Sequence, residues 1–516
     1  MGWGLKVTCL REMRRPMIDD YTKLLEKARE LLLWQSISGL VQWDFETKMP
    51  QGATDQRSLQ MALLEQLLHE KSVDPELGKL LASVKTSSTF KDASDIEKRN
   101  VHLIQKTYDE QTKLPADLVE QIAKEYAIAV DAWKRAKNAK DFSIFKPELE
   151  KTIDLVKKKA HYLNPDKDAY DVLVDLFEPG ITVNSIAAVF EPLKKGLIPI
   201  IKKCAESSNK PNLSFLNRPV PIEIQEKISK KLMEFVQYDL KRGRLDETEH
   251  PFTQGYYDDV RICTHYYEKN FSSSMFAVLH EAGHGIYEQN IPATWMWQPI
   301  GTACSMGVHE SQSRLVENIV GRSKAFWTFF LPQLKKLTGK TFKDVDMDLM
   351  VRAANDVKPS KIRIEADEVT YSLHVVLRFE MEQLIMSGKA TVAELPAIWN
   401  EKMDKYFGIK IENDSEGIMQ DTHWASGLFG YFPDYALGNV YDGILLETME
   451  KKLPNWQDSI AKGDFKPVHD WMVENVHHYG NLMDPVDLIK KVTGKDIDSK
   501  PFVKYLEKKM KSVFGF

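Results

Sequence analysis

Cysteine is scarce in this chain of 516 residues. The four cysteines are Cys9, Cys204, Cys263 and Cys304, and no two of them form a C-x-x-C pair. A disulfide framework needs cysteines that are denser and more regularly spaced. The pattern therefore indicates reduced thiols, and we expect a cytoplasmic protein.

An excess of positive charge is also missing. The formal net charge is −5, which excludes nucleic-acid binding as the main role because no basic surplus is available to neutralise phosphates. No segment approaches the roughly 18 consecutive apolar residues of a membrane span, so we expect no membrane partner. The basic N-terminus lacks the apolar segment of a secretory signal, and Lys6 breaks the myristoylation pattern.

Helical periodicity dominates what remains. In the segment 19–44, Leu24, Ala28 and Leu31 follow the three-and-four spacing of a helix with one buried face. The same pattern recurs in 117–141, 222–246, 372–389 and 502–516. In the segment 222–246 we place the helix end at Arg242 and Gly243, a typical stop signal.

Strand-like alternation is rare, with one candidate at Val260, Ile262 and Thr264. Breaks that contain proline fall between helical segments and are typical of interhelical loops. The sequence therefore predicts a mainly α fold: one large helical body in two lobes around a deep groove, with a small β-sheet.

The stretch HEAGH (280–284) carries the clearest chemical signal. A helix predicted over 275–289 places His280 and His284 one turn apart on the same face, where both imidazoles can bind one cation. Glu281 is rotated by about 100° from His280, outside the metal's inner ligands but near enough to deprotonate a water molecule. The alternative is that two partly buried histidines share a helix face without a metal.

A catalytic zinc usually has three protein ligands and one water. Glu288 continues the face of the two histidines, but it lies about 12 Å along the helix from His280, and three ligands in one straight row cannot surround a metal. The ligand must come from another segment, and the helical run 305–327 offers His309, Glu310 and Glu317. Spacing alone does not choose among these three.

Beyond HEAGH, an ordered set of motifs resembles the M32 metallocarboxypeptidases, the thermostable carboxypeptidase Taq type. The motifs are WDFETKMPQGA (43–53), DETEHPFT (246–253), DVRIC (259–263), HEAGHGIYEQ (280–289), HESQSRLVEN (309–318), IRIEAD (362–367), GIMQDTHW (417–424), YFPDYALGN (431–439) and HHYGNL (477–482). Their order and spacing match from about residue 17 to the end. One departure is Cys263, where the family has threonine, although Thr264 follows directly.

The resemblance implies a single catalytic domain over 17–516, preceded by an N-terminal extension over 1–16. It implies His280, His284 and Glu310 as ligands of one zinc or cobalt ion, with Glu281 as the base that activates water. Members of the family are typically homodimers that release single C-terminal residues from peptides with broad preference.

Carboxypeptidase action also needs groups that bind the free carboxylate and the oxyanion. We predict that Arg363 and His423 contact the substrate, that Tyr435 or Tyr431 donates to the oxyanion, and that Arg261 faces the groove. For Arg363 the alternative is an ordinary ion pair with its acidic neighbours, and for the tyrosines it is packing alone. His469, His477 and His478 lack ligand spacing, so we interpret them as ordinary histidines.

Two other functions compete with a carboxypeptidase. A metallo-oligopeptidase or dipeptidase would cut short peptides with a similar helical cleft and would need no capture of a terminal carboxylate. A noncatalytic helical scaffold would bind no metal.

Overall fold

The computed structural model describes residues 19–516, so the predicted extension over 1–16 lies outside the described residues. The N-terminal part is a lobe of four helices with its own apolar core, formed by residues such as Leu24, Leu81, Val101 and Ile104. Its helices are α1 (Asp19–Thr47), α2 (Thr54–Ser72), α3 (Pro75–Thr86) and α4 (Asp95–Thr112). Ser94 and Glu97 form a capping box that fixes the start of α4.

The remaining helices enclose a second and much larger apolar core. Before the sheet come α5 (Ala116–Ala139), α6 (Lys146–Leu163), α7 (Ala169–Asp175), α8 (Val183–Glu206) and α9 (Ile222–Phe235). After the sheet come α10 (Phe271–Asn290), α11 (Met306–Arg314), α12 (Lys324–Thr338), α13 (Met347–Ala354), α14 (Thr370–Met386), α15 (Leu395–Phe407), α16 (Phe432–Lys452), α17 (Trp456–Ala461), α18 (Lys466–Asn475), α19 (Pro485–Thr493) and α20 (Lys500–Phe514). A π-helical segment, Leu315–Val320, continues α11.

Between the two lobes runs a groove, which confirms the two-lobed helical prediction. Its cavity of about 390 Å³ is lined by Arg99 and His102 of α4 on one side and by Met306 and His309 of α11 on the other. None of the helices within 19–516 combines the length and the apolar character that a membrane span requires.

The small sheet has three strands in the order β1 (Gly243–Glu247), β3 (Asp259–Thr264), β2 (Thr253–Tyr256). β1 is parallel and β2 antiparallel to the central β3. The strand predicted at Val260, Ile262 and Thr264 is confirmed as β3, whereas the two outer strands carry too few alternating apolar residues to be predicted.

The predicted end of the helix over 222–246 was wrong. The helix α9 ends at Phe235, and Gly243 instead begins β1. The chain turns at Gln237, which adopts a positive φ of 62°. Tyr238 then points its hydroxyl at the Val260 carbonyl of β3, so tertiary contacts with the sheet override the local helical pattern.

Helix α10 lies unusually close to α11 because of Gly283, the glycine within HEAGH. A Cβ atom at this position would lie 2.6 Å from Ser313 Cα and 2.7 Å from the Gln312 carbonyl oxygen. These are backbone atoms, which cannot rotate away. The close approach of α10 to α11 therefore requires glycine at position 283.

We predict that Gly283→Ala lowers the free energy of unfolding by about 1–3 kcal/mol, the usual cost of overpacking a core. Gly52→Ala is the matched control, because a Cβ there meets nothing within 4 Å. Chemical denaturation of both variants measures the effect. Equal stabilities would show that the α10–α11 contact adjusts to a methyl group.

Candidate active site

Helix α10 presents His280 and His284 on one face while its apolar side chains enter the large core. Val278, Leu279 and Ala282 are fully buried. The two imidazole rings lie 4.9 Å apart between centroids. The predicted helix is thus confirmed, with bounds slightly wider than 275–289.

Helix α11 brings Glu310 to these histidines. Its first turn is fixed by Ser305, whose hydroxyl accepts a hydrogen bond from the Val308 amide at 3.0 Å. The buried Glu178 carboxylate accepts from the Ser305 hydroxyl and from the Gly307 amide, which satisfies a further free N–H of the helix end.

The carboxylate of Glu310 meets both imidazoles. Its Oε2 lies 3.5 Å from His280 Nε2 and 3.4 Å from His284 Nε2. Ligand atoms of the three residues all fall within 4.8 Å of one another, and the described part of the chain holds no other such cluster. Two imidazole nitrogens and one carboxylate oxygen are a typical donor set for a catalytic divalent metal.

Glu317 and His309, the other two candidates for the third ligand, contact the Nδ1 atoms of the two histidines. His280 donates from Nδ1 to Glu317 Oε2 at 3.0 Å. His284 Nδ1 contacts His309 Nδ1, and His309 donates from Nε2 to Glu288 Oε1 at 2.8 Å. In this arrangement both Nδ1 atoms carry protons, so both Nε2 lone pairs are free for a metal. Carboxylates and imidazoles that orient metal-binding histidines in this way are common.

The charges around the cluster favour metal binding. Burial alone would raise the pKa of Glu310, but Arg314 and His280 hold it well below its ordinary value, so the carboxylate is ionised. Burial and the neighbouring His309 lower the pKa of His284 to about 3, which keeps that imidazole neutral. Burial also lowers the pKa of His280, but the Glu310 and Glu317 carboxylates outweigh it and raise the value overall, because they stabilise a positive charge at this ring, which either a proton or a metal ion supplies.

Glu281 lies beside the cluster and is fixed by the sheet. Its Oε2 accepts a hydrogen bond from the Thr253 hydroxyl of β2 at 2.6 Å. Burial raises the pKa of this carboxyl group above the ordinary value. Cys263 is fully buried in β3, and the Thr264 hydroxyl has no hydrogen-bond partner among the described residues.

The predicted substrate residues of 362–435 lie together. The rings of Tyr435 and Tyr431 form a T-shaped contact, with centroids 5.2 Å apart. The Tyr435 hydroxyl is 3.5 Å from His423 Nε2. The Arg363 guanidinium is 5.0 Å from the Tyr435 ring centroid. Burial raises the pKa of both tyrosines, and the negative charge of Glu310 is a minor further cause for each.

Arg363 pairs with a carboxylate, but not with its neighbours in sequence. It donates from Nη2 to Asp421 Oδ1 at 2.9 Å and from Nη1 to the Tyr371 hydroxyl at 3.1 Å. The buried Arg378 donates from Nε to Oδ2, the other oxygen of Asp421, at 2.7 Å. A guanidinium has five N–H donors, so Arg363 keeps donors for a further ligand.

Arg261 is separate from this group. It forms a bidentate pair with Asp259 and lies 4.2 Å above the Trp43 ring of α1. These contacts belong to the junction of the sheet with the N-terminal lobe.

Two residues that connect the parts of the site were not predicted. Arg314 donates from Nε to Glu310 Oε1 at 2.8 Å, and its guanidinium lies 4.3 Å above the Tyr371 ring. Tyr371 in turn contacts Arg363. Arg314 follows Glu310 by one helical turn, a pairing that the sequence could have indicated; Tyr371 has no such signal.

Fold and site together define a metallopeptidase, and comparison with known proteins gives the family. The model of the Carboxypeptidase Taq (M32) metallopeptidase family matches residues 23–510. Carboxypeptidase 1 of Bacillus subtilis is 39% identical over 480 residues, 92% of this chain and 95% of that protein. Thermostable carboxypeptidase 1 of Thermus thermophilus is 38% identical, over 96% of this chain and 99% of that protein.

Solved structures of M32 carboxypeptidases match the fold of this chain. The M32 carboxypeptidase of Deinococcus radiodurans R1 superposes with a TM-score of 0.93 at 34% identity, covering 96% of this chain and 100% of the other. Metallocarboxypeptidase 1 of Trypanosoma cruzi gives 0.91 at 32%, covering 95% and 99%. The chain belongs to the M32 family of metallocarboxypeptidases. It is a peptide hydrolase that depends on a divalent metal.

We predict that Glu317→Gln weakens metal binding by about 10–100-fold, the usual effect of removing a group that orients a metal-binding histidine. Metal content after dialysis against graded chelator measures it. Glu380→Gln is the control, since that carboxylate is also ion-paired but contacts Lys194, Lys402 and Tyr406 instead. If both variants retain metal equally, Glu317 does not support His280.

Proposed function

We propose that His280 Nε2, His284 Nε2 and Glu310 Oε2 hold one divalent ion, zinc or cobalt. The convergence of these three atoms supports the proposal, together with the hydrogen bonds that leave both Nε2 lone pairs free. A ligand set of two imidazoles and one carboxylate leaves a position for water, as catalytic zinc sites require.

Glu281 is the general base in this proposal. A divalent ion held by His280, His284 and Glu310 would act as a Lewis acid toward the scissile carbonyl and would lower the pKa of the attacking water. Glu281 takes one proton from that water and delivers it to the departing amine nitrogen, so that water adds across the C–N bond. The products are a free amino acid and a peptide shortened by one residue. The Thr253 hydrogen bond holds the carboxylate of Glu281 in place for both transfers.

Glu281→Gln keeps the size of the side chain and the Thr253 contact but removes the base. We expect kcat to fall by about 10²–10⁴-fold, the usual contribution of a general base, with metal content unchanged. Steady-state kinetics and elemental analysis of the same preparation measure both quantities. A variant with a full metal complement and normal kcat would contradict the role of Glu281.

We propose that carboxylate recognition makes the enzyme an exopeptidase. Arg363 and His423 bind the free C-terminus, and Tyr435 or Tyr431 donates a hydrogen bond to the oxyanion. The clustering of these side chains supports this, as does the ring nitrogen Nδ1 of His423, which is buried and has no partner among the described residues. Burial lowers the pKa of His423 to about 4, so its neutral ring offers a hydrogen bond and not a charge. For Arg261, which lines a separate cavity with Trp43 and Arg57, we propose a contact with parts of the substrate farther from the metal.

The competing function is that of an oligopeptidase or dipeptidase. The wild-type enzyme should release the last residue of a free-acid peptide and leave the same peptide with an amidated C-terminus intact. Arg363→Ala should raise KM for the free acid by about 10–100-fold, as expected for loss of a charged hydrogen bond. Arg218→Ala is the control, because that half-buried arginine pairs with Asp344 and with the Thr341 carbonyl and contacts none of the proposed substrate residues. Cleavage of the amide would favour the oligopeptidase.

We further propose that residues 17–516 act as a single catalytic domain, that two copies form a homodimer and that the enzyme has broad preference for the C-terminal residue. The two apolar cores on either side of one groove support a single working unit. The proposal of a cytoplasmic location rests on the sparse cysteines, of which Cys204, Cys263 and Cys304 are free and buried thiols.

A further inference from the structure

Another cavity, which the peptidase reaction does not use, lies behind the cluster of His280, His284 and Glu310. It encloses about 610 Å³ between the start of α12, the middle of α16, α17 and α20. Glu317 separates it from the active site, since Oε2 of this residue accepts from His280 while Oε1 accepts from Arg322, a lining residue of the cavity, at 2.8 Å.

Positive side chains dominate the lining. Seven are cationic and three are acidic. The cations are Arg322, Lys324, Lys495, Lys500, Lys504, Lys508 and Lys509, and the acids are Glu447, Glu450 and Asp498. This excess stands out in a chain whose net charge is −5.

Part of this charge is already balanced. Arg322 donates to Glu317, Lys509 donates to Glu368 at 2.6 Å, and Lys495 contacts Glu447 at 2.5 Å. Lys500 lies 3.8 Å from Asp498. Arg322 and Lys509, the least exposed of these cations, are therefore structural.

Three lysines at the rim remain. Lys324, Lys504 and Lys508 are exposed and form no ion pair with any residue that the structure describes. Lys500, Lys504 and Lys508 are spaced by four residues on α20, so they form a row along one face of that helix. Like charges in such a row repel one another, and a bound polyanion relieves that repulsion.

Part of the cavity lining is apolar. Its wall includes Ile319 of the π-helical segment, Leu446 of α16, Trp456 of α17 and Val513 of α20. A volume of this size is typical of sites for small organic ligands. A purely inorganic anion would leave this wall in contact with water, whereas a ligand with a flat apolar part would cover it.

We propose that this cavity binds a nucleoside triphosphate, with its phosphates on the lysine row of α20 and on Lys324, and its base against the apolar wall. Phosphate oxygens form strong charge-assisted hydrogen bonds with lysine. The site is independent of the proposed peptidase mechanism, and its failure would leave that mechanism untouched.

The test is isothermal titration calorimetry of ATP into the full-length, metal-loaded enzyme. We expect Lys504→Glu/Lys508→Glu to weaken ATP binding by about tenfold or more, through loss of two charged contacts and added repulsion. Lys227→Glu/Lys230→Glu on α9 is the matched control, with the same charge change at two exposed lysines that do not line the cavity. Both double variants keep the metal site, so any chelation by ATP affects them equally.

Equal affinity of the two double variants, or no binding of ATP by the wild type, would overturn the proposal. Inorganic tripolyphosphate tests the apolar wall: we expect it to bind about tenfold more weakly than ATP, since it covers no apolar surface. Equal affinity for the two ligands would rule out a nucleoside part. Unchanged peptide hydrolysis by the lysine variants shows that they are folded.

Discussion

The contact between α10 and α11 at Gly283 sets the geometry on which the rest of the site depends. Because the two backbones approach so closely, the side chain of Glu310 can reach both Nε2 atoms of the histidines on α10. On its other side α11 packs against α16, where Gly438 leaves room for the Glu310 side chain. Glu310 is thus held between two helices by shape as well as by charge, and a metal bound there would inherit a rigid set of ligands.

The buried charges of Glu310, Arg314, Arg363 and Asp421 are tolerated because they are paired. These contacts form one chain: Glu310 with Arg314, Arg314 against the ring of the uncharged Tyr371, Tyr371 with Arg363, and Arg363 with Asp421. Removing one member would leave its partner as an uncompensated buried charge, which costs more than the pair contributes. The chain of contacts therefore links the position of Glu310, the proposed metal ligand, to that of Arg363, which we assign to substrate binding.

Much of this architecture could be predicted, and the limits have physical causes. Helices with long apolar faces and β3 followed from periodicity, because side-chain burial repeats every turn or every second residue. The end of α9 did not, since hydrogen bonds to the sheet decide it. HEAGH indicated a metal site from local geometry alone, whereas Tyr371 and Asp421 meet Arg363 only through the tertiary fold. Spacing could not single out Glu310, and the family resemblance supplied that choice.

The ambiguity among His309, Glu310 and Glu317 has a structural explanation. Glu310 approaches His280 at Nε2 and Glu317 approaches it at Nδ1, so two carboxylates from one helical run flank a single ring. His309 supports the second histidine in the same way. The π-helical segment begins at Leu315, between the two glutamates, and its wider turn shifts Glu317 relative to a regular helix. All three candidates belong to the site because a metal-binding imidazole needs a partner on each nitrogen. Helix α11 and its π-helical extension supply the proposed metal ligand Glu310 on the Nε2 side and the supporting residues His309 and Glu317 on the Nδ1 side.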